Sequence, residues 1–120
     1  MQRLGELEAS VMDVLWGATE PLRVRQVLEA INRDRDLAYT TVMTVLDNLH
    51  RKEWVEREME NRAYRYRAVA TREEATAQSL RELLDASEDR ESVLLHFARS
   101  VTEEESDILR RALRRKPGKR

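Results

Sequence analysis

The stretch AYTTVMTVLDNLHRK, residues 38–52, decides the fold. Wound as a helix, it gathers Val42, Val45, Leu46 and Leu49 on one apolar stripe, with Met43 at its margin. The other side carries Thr40, Thr41, Thr44, Asp47, Asn48 and Arg51, and runs out into Lys52. Short side chains let a helix approach another surface closely, and hydroxyls and amides suit base edges and phosphates. β-Branched threonine is a poorer helix former than the Glu, Lys or Gln usual on a face that meets only water. A helix pressed into the major groove of DNA gives three threonines a reason. The plain alternative is a set of helix-start threonines with no partner.

Upstream, Leu4, Leu7, Val11, Val14 and Leu15 mark a first amphipathic helix over about residues 5–16, with Gly17 placed to end it. Pro21 opens a short extended connection, Leu22 to Arg23. Val24, Val27, Leu28 and Ile31 then form the stripe of a second helix. The polar run Asn32-Arg33-Asp34-Arg35-Asp36 reads as its end plus a turn. Helix, helix, turn, helix is the helix-turn-helix order, with the third helix as the reader.

Downstream the period changes from helical to alternating. Residues 54–59 suit a strand, and Arg62 to Val69 alternates Tyr64, Tyr66 and Ala68 with Arg65 and Arg67. Glu60-Asn61 is the turn candidate, because Asn tolerates the left-handed backbone of a tight hairpin. A hairpin directly behind a reading helix makes a winged helix, with Asn61 and Arg62 at its tip.

The last fifty residues are helical in signal. Thr71-Arg72-Glu73-Glu74 and Thr102-Glu103-Glu104-Glu105 each match a capping box. Leu80, Leu83 and Leu84 follow the first, and Ile108, Leu109 and Leu113 follow the second. Val93, Leu94, Phe97 and Val101 mark a helix between them. Three short helices enclose little core alone, so pairing with a second copy is the economical arrangement, an intrachain bundle or another protein partner being the alternatives. The fold class expected is mainly α with a small β-hairpin. It comprises a winged helix-turn-helix domain over residues 1–70 and a three-helix dimerisation segment over residues 71–120.

Composition excludes more than it selects. In 120 residues there are 38 % charged and 5 % aromatic side chains, a modest apolar supply that suits helices completing their burial against a second chain. Net charge is −1, and residues 1–70 carry 11 basic against 12 acidic side chains, so any nucleic-acid face must be local. The chain has no cysteine, which removes disulfides, thiolate metal sites and cysteine chemistry. His50 and His96 build no metal site without carboxylates that the sequence does not single out. No cofactor is expected. No run approaches membrane-spanning length and no signal-type core opens the chain, so the cytoplasm is the expected compartment.

Roles follow position. Thr40 and Thr41, in the first helical turn, are placed to hold a phosphate together with free backbone amides. Thr44 and Asn48 are the candidates for base edges, Asn being suited to adenine. Arg51 and Lys52 would neutralise phosphates, Arg62 would reach the backbone from the wing, and Arg25 is a further phosphate candidate. Asp47 either meets a cytosine amino group or pairs with a nearby basic side chain, and both remain open. Arg65 and Arg67 read as strand-surface charges paired with Glu56 or Glu58. Trp16, Trp54, Tyr64 and Tyr66 suit a domain core better than a stacking platform. The basic end, Arg110 to Arg120, reads as a solvated helix terminus, with non-specific DNA contact as its alternative.

LGELEASVMDVLW (4–16), RVRQVLEAI (23–31), AYTTVMTVLDNLHRK (38–52) and NRAYRYRAV (61–69) resemble the BlaI/MecI penicillinase repressors, most of all their actinobacterial members. A weaker resemblance continues through VLLHF (93–97) and EESDILRRAL (104–113). It implies a winged-helix domain and interlocking C-terminal helices. It also implies a homodimer that occupies a palindromic operator on double-stranded DNA and blocks transcription, including that of β-lactam response genes. In relatives a membrane-bound sensor protease cuts the repressor before a Phe, and the matching peptide here is His96–Phe97, with His96 where those relatives carry Asn. Copper-responsive members carry a C-terminal cysteine cluster that this chain lacks. Glu53 stands where a helix-ending Gly is usual, and Asn61 replaces a common wing Gly.

The reading is a dimeric repressor with residues 39–52 in the major groove and residues 60–63 against the neighbouring backbone. Its rivals are a winged-helix module that binds protein rather than DNA, and an enzyme, for which no nucleophile–base cluster, phosphate loop or ligand spacing speaks.

Overall fold

The apolar stripe of residues 42–49 lies at the centre of the fold. The structure is a computed structural model and describes residues 3–114. In chain order it contains α1 (Glu6–Trp16), β1 (Leu22–Arg23), α2 (Val24–Ile31), α3 (Tyr39–Arg51), β2 (Val55–Glu60), β3 (Ala63–Ala68), α4 (Arg72–Ala86), α5 (Arg90–Ser100) and α6 (Glu103–Arg114). Val42, Val45, Leu46 and Leu49 are all buried, together with Val11, Met12 and Leu15 of α1 and Val24, Val27 and Ile31 of α2. Trp54, Val55 and Tyr66 close the same core from the sheet side. The two tryptophans meet edge to face at 6.3 Å, and the Trp16 indole N–H donates to the Ala70 carbonyl at 2.9 Å. These aromatics belong to the core, as their spacing suggests.

The connection Leu22 to Arg23 is more than a linker. It pairs antiparallel with β3, Leu22 opposite Tyr66 and Arg23 opposite Arg65, so the hairpin becomes a three-stranded sheet ordered β1-β3-β2. Two residues are too few for an alternation to show in sequence; the pairing is a tertiary event. The hairpin register runs from Val55↔Ala68 to Glu60↔Ala63, which moves the turn one residue on from Glu60-Asn61 to Asn61-Arg62. Both turn residues have positive φ, 53° and 69°, the signature of a two-residue type I′ turn whose twist matches the strands.

Local chemistry ends the helices. The turn between α2 and α3 is closed by Asn32, whose amide donates to the Leu37 carbonyl (3.0 Å) and accepts from the Leu37 N–H (2.9 Å). At the other end of α3, Trp54 N–H reaches the Leu49 carbonyl and Glu53 N–H the His50 carbonyl, at 2.9 and 3.1 Å. Those two bonds form a Schellman motif, and its left-handed position is Glu53 at φ 67°. Glu8 ties this end of α3 to α1: its carboxylate accepts from the Gly5 N–H at 2.8 Å and from Lys52 Nζ at 2.9 Å.

The chain divides into two compact units between Glu82 and Leu83, inside α4. The start of α4 belongs with the first unit: Ala75 is buried in its core, and Arg72 pairs with Asp13 at 2.6 Å while lying over the Trp16 ring. Both expected capping boxes form, Thr71 with Glu74 and Thr102 with Glu105. In the second unit, α5 is capped by Asp89, and neither α5 nor α6 buries a residue. Phe97 is 54 % exposed and Leu113 71 %, and Leu94, Leu95, Val93, Ile108 and Leu109 are exposed as well. Val101 and Leu84 are half-buried, and Leu80 and Leu83 exposed. The part of the basic end beyond residue 114 lies outside the described residues.

Two outcomes follow from these local features. A left-handed non-glycine residue costs roughly 1–2 kcal/mol, partly offset by the extra chain entropy of glycine when unfolded. Glu53→Gly is therefore expected to raise unfolding free energy by about 1 kcal/mol in a denaturant melt; a loss of stability would show that Glu53 has another role. Burial pushes the Glu8 carboxyl up, but the Gly5 amide and Lys52 outweigh it and hold the group below the usual carboxylate range. Its contribution is therefore present above the unfolded value, about 4.3, and lost as pH falls through the lowered folded value. The stability gap between wild type and Glu8→Gln is expected to close in acid, and a gap independent of pH would contradict the pairing.

Candidate nucleic-acid interface

Burial of one side of α3 dictates what the other side presents. Thr40, Thr44, Asp47 and Arg51 fall on the stripe opposite the core and are exposed; Thr41 and Asn48 lie on one flank and are half-buried. Tyr39 and Met43, on the other flank, are exposed too, so Met43 faces outward rather than finishing the core. The N-terminus of α3 is left open. Ala38 supplies no side-chain cap, so the first amides of this helix have no partner of that kind. α4, α5 and α6 are capped by Thr71, Asp89 and Thr102, which accept first-turn amides. At α1 and α2 the N-cap residue supplies no such cap, but Glu8 and Gln26 reach back to its N–H, a bond that α3 also lacks. The uncapped end adjoins Thr40 and Thr41, an arrangement suited to an anion.

A groove runs between this face and the wing, lined by Arg23, Arg25, Tyr39, Met43, Thr44, Asp47, Arg62 and Tyr64. Arg25 sits with its guanidinium 5.6 Å from the Tyr39 ring centroid, which holds an exposed cation beside the start of α3. Arg62 is exposed at the wing tip and makes no ion pair among the described residues. Its backbone is held at φ 69°, where glycine would rest without strain.

Other candidates are engaged differently from their expected roles. Lys52 is bound to Glu8, with only 28 % of its side chain exposed, so it joins α3 to α1 rather than standing free for a phosphate. Arg51 donates to the Asn48 Oδ1, so Asn48 keeps only its amino group free for reading. Bidentate adenine recognition needs that carbonyl oxygen released. Arg67 pairs with Glu56 at 2.7 Å, as expected; Arg65 pairs with Glu60 at the hairpin end instead of Glu58. His96, with Nδ1 2.8 Å from the Ser92 carbonyl, and Phe97 are exposed on α5. Among the described residues no group of His, Asp and Glu is placed to hold a metal, and no helix is long and apolar enough to cross a membrane.

The residue that sequence reasoning missed is Arg57. It shares the strand parity of Val55 and so points to the α3 side of the sheet, where its Nη1 meets Asp47 Oδ1 at 2.8 Å. Its guanidinium lies 4.1 Å from the Tyr64 ring centroid. This settles one of the two alternatives for Asp47: it has a basic partner. The alternation of β2 carried that signal.

An exposed reading helix behind a helix-turn pair, followed by an arginine-tipped hairpin, defines a winged helix-turn-helix protein. The penicillinase repressor family model matches residues 4–115, and the chain belongs to that family. Transcriptional regulator BlaI of Mycobacterium tuberculosis, from strains CDC 1551 / Oshkosh and H37Rv, is 49 % identical over 116 residues, covering 94 % of this chain and 84 % of that protein. Membership places the chain among transcriptional regulators and not among enzymes. The fold is shared more widely. MepR, a transcription regulator of the Staphylococcus aureus multidrug efflux pump MepA, superimposes with a TM-score of 0.51 at 15 % identity, over 92 % of this chain and 75 % of that one. A MepR mutant bound to an oligodeoxyribonucleotide gives 0.52 at 16 % over the same shares.

Arg62→Gly separates strain from contact. The variant is expected to be more stable by about 1 kcal/mol yet to bind duplex DNA more weakly, with its log–log salt slope reduced by about 0.9. An unchanged slope in a binding titration would remove Arg62 from the interface.

Proposed function

We propose that the chain is a homodimeric, sequence-specific DNA-binding repressor that places α3 of each copy in a major groove of a pseudo-palindromic operator. The observation that carries this reading is the open N-terminus of α3 beside an exposed stripe of Thr40, Thr44, Asp47 and Arg51. A phosphate is the anion such an end takes when a helix enters duplex DNA. Arg25 and Arg62 flank the stripe at the positions where the sugar-phosphate backbone would pass. BlaI of M. tuberculosis, by name a transcriptional regulator, supports the same assignment. Action on chromosomal DNA in the cytoplasm follows from it.

Dimerisation is supported by the bare helices of the second unit. Large apolar side chains from Leu83 to Leu113 stand in water, and α5 and α6 bury nothing. Exposure of so many large apolar side chains on two helices that bury nothing suits a surface that another chain covers. Residues 71–120 would then act as the association element, extending the role of the helices beyond the winged domain of residues 1–70. One winged domain with few phosphate contacts binds weakly; two joined copies gain from effective concentration. Two-fold symmetry sets the half-sites about 34–36 Å apart, or a multiple of it.

Induction is proposed to act on the same surface. Cutting His96–Phe97, the role implied for a membrane-bound sensor protease, would detach Phe97, Ile108, Leu109 and Leu113 from the winged domain in one step and abolish avidity. The peptide lies inside α5, so the helix must open locally before a protease can hold it in extended form.

The test is association and binding together. Leu94→Asp with Phe97→Asp is expected to give folded monomers, by sedimentation, that lose affinity for a fragment from upstream of the gene. Variants that remain dimeric would displace the interface. A wild type that ignores duplex DNA at low salt would leave the protein-binding module as the function.

A further inference from the structure

Asp47 is the one acid on the outward stripe of α3, flanked there by Thr44 and Arg51. A carboxylate on a DNA-facing helix is repelled by phosphates, so its presence there needs a reason. Its surroundings supply half of one. Arg57 meets Asp47 through a single oxygen, Oδ1, and its guanidinium lies over the Tyr64 ring. Arg57 is 23 % exposed at its side chain, whereas Asp47 is 59 % exposed. The cation thus sits recessed behind the carboxylate, held between Asp47 and the Tyr64 ring, and the acid stands forward with Oδ2 unengaged among the described residues.

We infer that Asp47 is a specificity-determining residue that accepts a hydrogen bond from a cytosine amino group in each half-site, with Arg57 holding and neutralising it. The inference rests on the repressor reading and deepens it. An ionised carboxylate accepts and cannot donate. Guanine shows two acceptors in the major groove, thymine shows a carbonyl and a methyl, and adenine sets an acceptor beside its amino group. Cytosine alone offers an amino group with no acceptor next to it. Arg57 lowers the electrostatic cost of bringing the acid near phosphates without competing for the base, because it lies on the protein side. Asp47 therefore works as a filter: it favours one base and penalises those that present lone pairs.

Selection from a randomised duplex DNA pool tests this with wild type, Asp47→Ala, Asp47→Asn and Arg57→Met, each checked for folding by circular dichroism. Wild type is expected to enrich a two-fold motif containing an invariant cytosine in each half. Asp47→Ala is expected to lose roughly tenfold discrimination at that base pair, and to bind non-specific duplex more tightly because a negative charge has gone. Asp47→Asn keeps an acceptor for Arg57 and adds an amide donor, so its preference should move toward adenine. Arg57→Met should bind every duplex more weakly and still prefer cytosine.

Retention of the cytosine preference by Asp47→Ala or Asp47→Asn overturns the inference, as does a wild-type motif without an invariant cytosine. So does loss of that preference in Arg57→Met to the same degree as in Asp47→Ala, which would leave Asp47 as a brace alone. Enrichment of no motif by wild type would instead overturn the repressor reading itself.

Discussion

Burial of Val42, Val45, Leu46 and Leu49 is the constraint on which the structure turns. Each such side chain taken from water stabilises the fold by about 1.5–3 kcal/mol, whereas an exposed ion pair contributes about 0–1. The four together therefore set the roll of α3 about its axis, and the polar contacts around it can only refine that roll. A helix advances 100° per residue, so a stripe buried on one side places Thr40, Thr44, Asp47 and Arg51 on the other without further instruction. Lys52 with Glu8, and Asp47 with Arg57, then fasten α3 to α1 and to the wing.

Strain is spent in two places, and for different ends. Glu53 takes the left-handed position that terminates α3, with both Schellman bonds made, and its exposed side chain makes no hydrogen bond or ion pair among the described residues. Arg62 takes a comparable position at the wing tip, but there the side chain projects beside the groove that α3 borders. The same backbone oddity thus ends a helix in one case and turns a hairpin in the other. What distinguishes them is where the side chain lies.

Much of this was legible in the chain. The 3.6-residue period gave α1, α2 and α3 nearly to the residue, and the alternation of Tyr64, Tyr66 and Ala68 gave the second hairpin strand. The capping boxes at Thr71 and Thr102 are local hydrogen-bond patterns, so they survived unchanged from sequence to structure. What failed to show were events that join distant segments. β1 exists only because Leu22 and Arg23 meet β3. The bond between Lys52 and Glu8 joins residues forty-four apart and leaves no local mark in the sequence. Arg57 was hidden among the alternating charges of β2, although its parity with Val55 put it on the inner face.

The second unit differs from the first in kind. Its helices are well capped, yet they leave Leu94, Phe97, Leu109 and Leu113 to solvent, a pattern that local propensity alone does not stabilise. In the proposed dimer a second copy would supply the missing cover and, in the same act, hold the two α3 helices at a set distance. Hydroxyl-radical footprinting of the wild-type protein on a bound duplex tests that coupling most directly. Two protected stretches about 10–10.5 base pairs apart, centre to centre, or a multiple of that, are expected. A single protected stretch, one reading helix per bound molecule, would contradict the account.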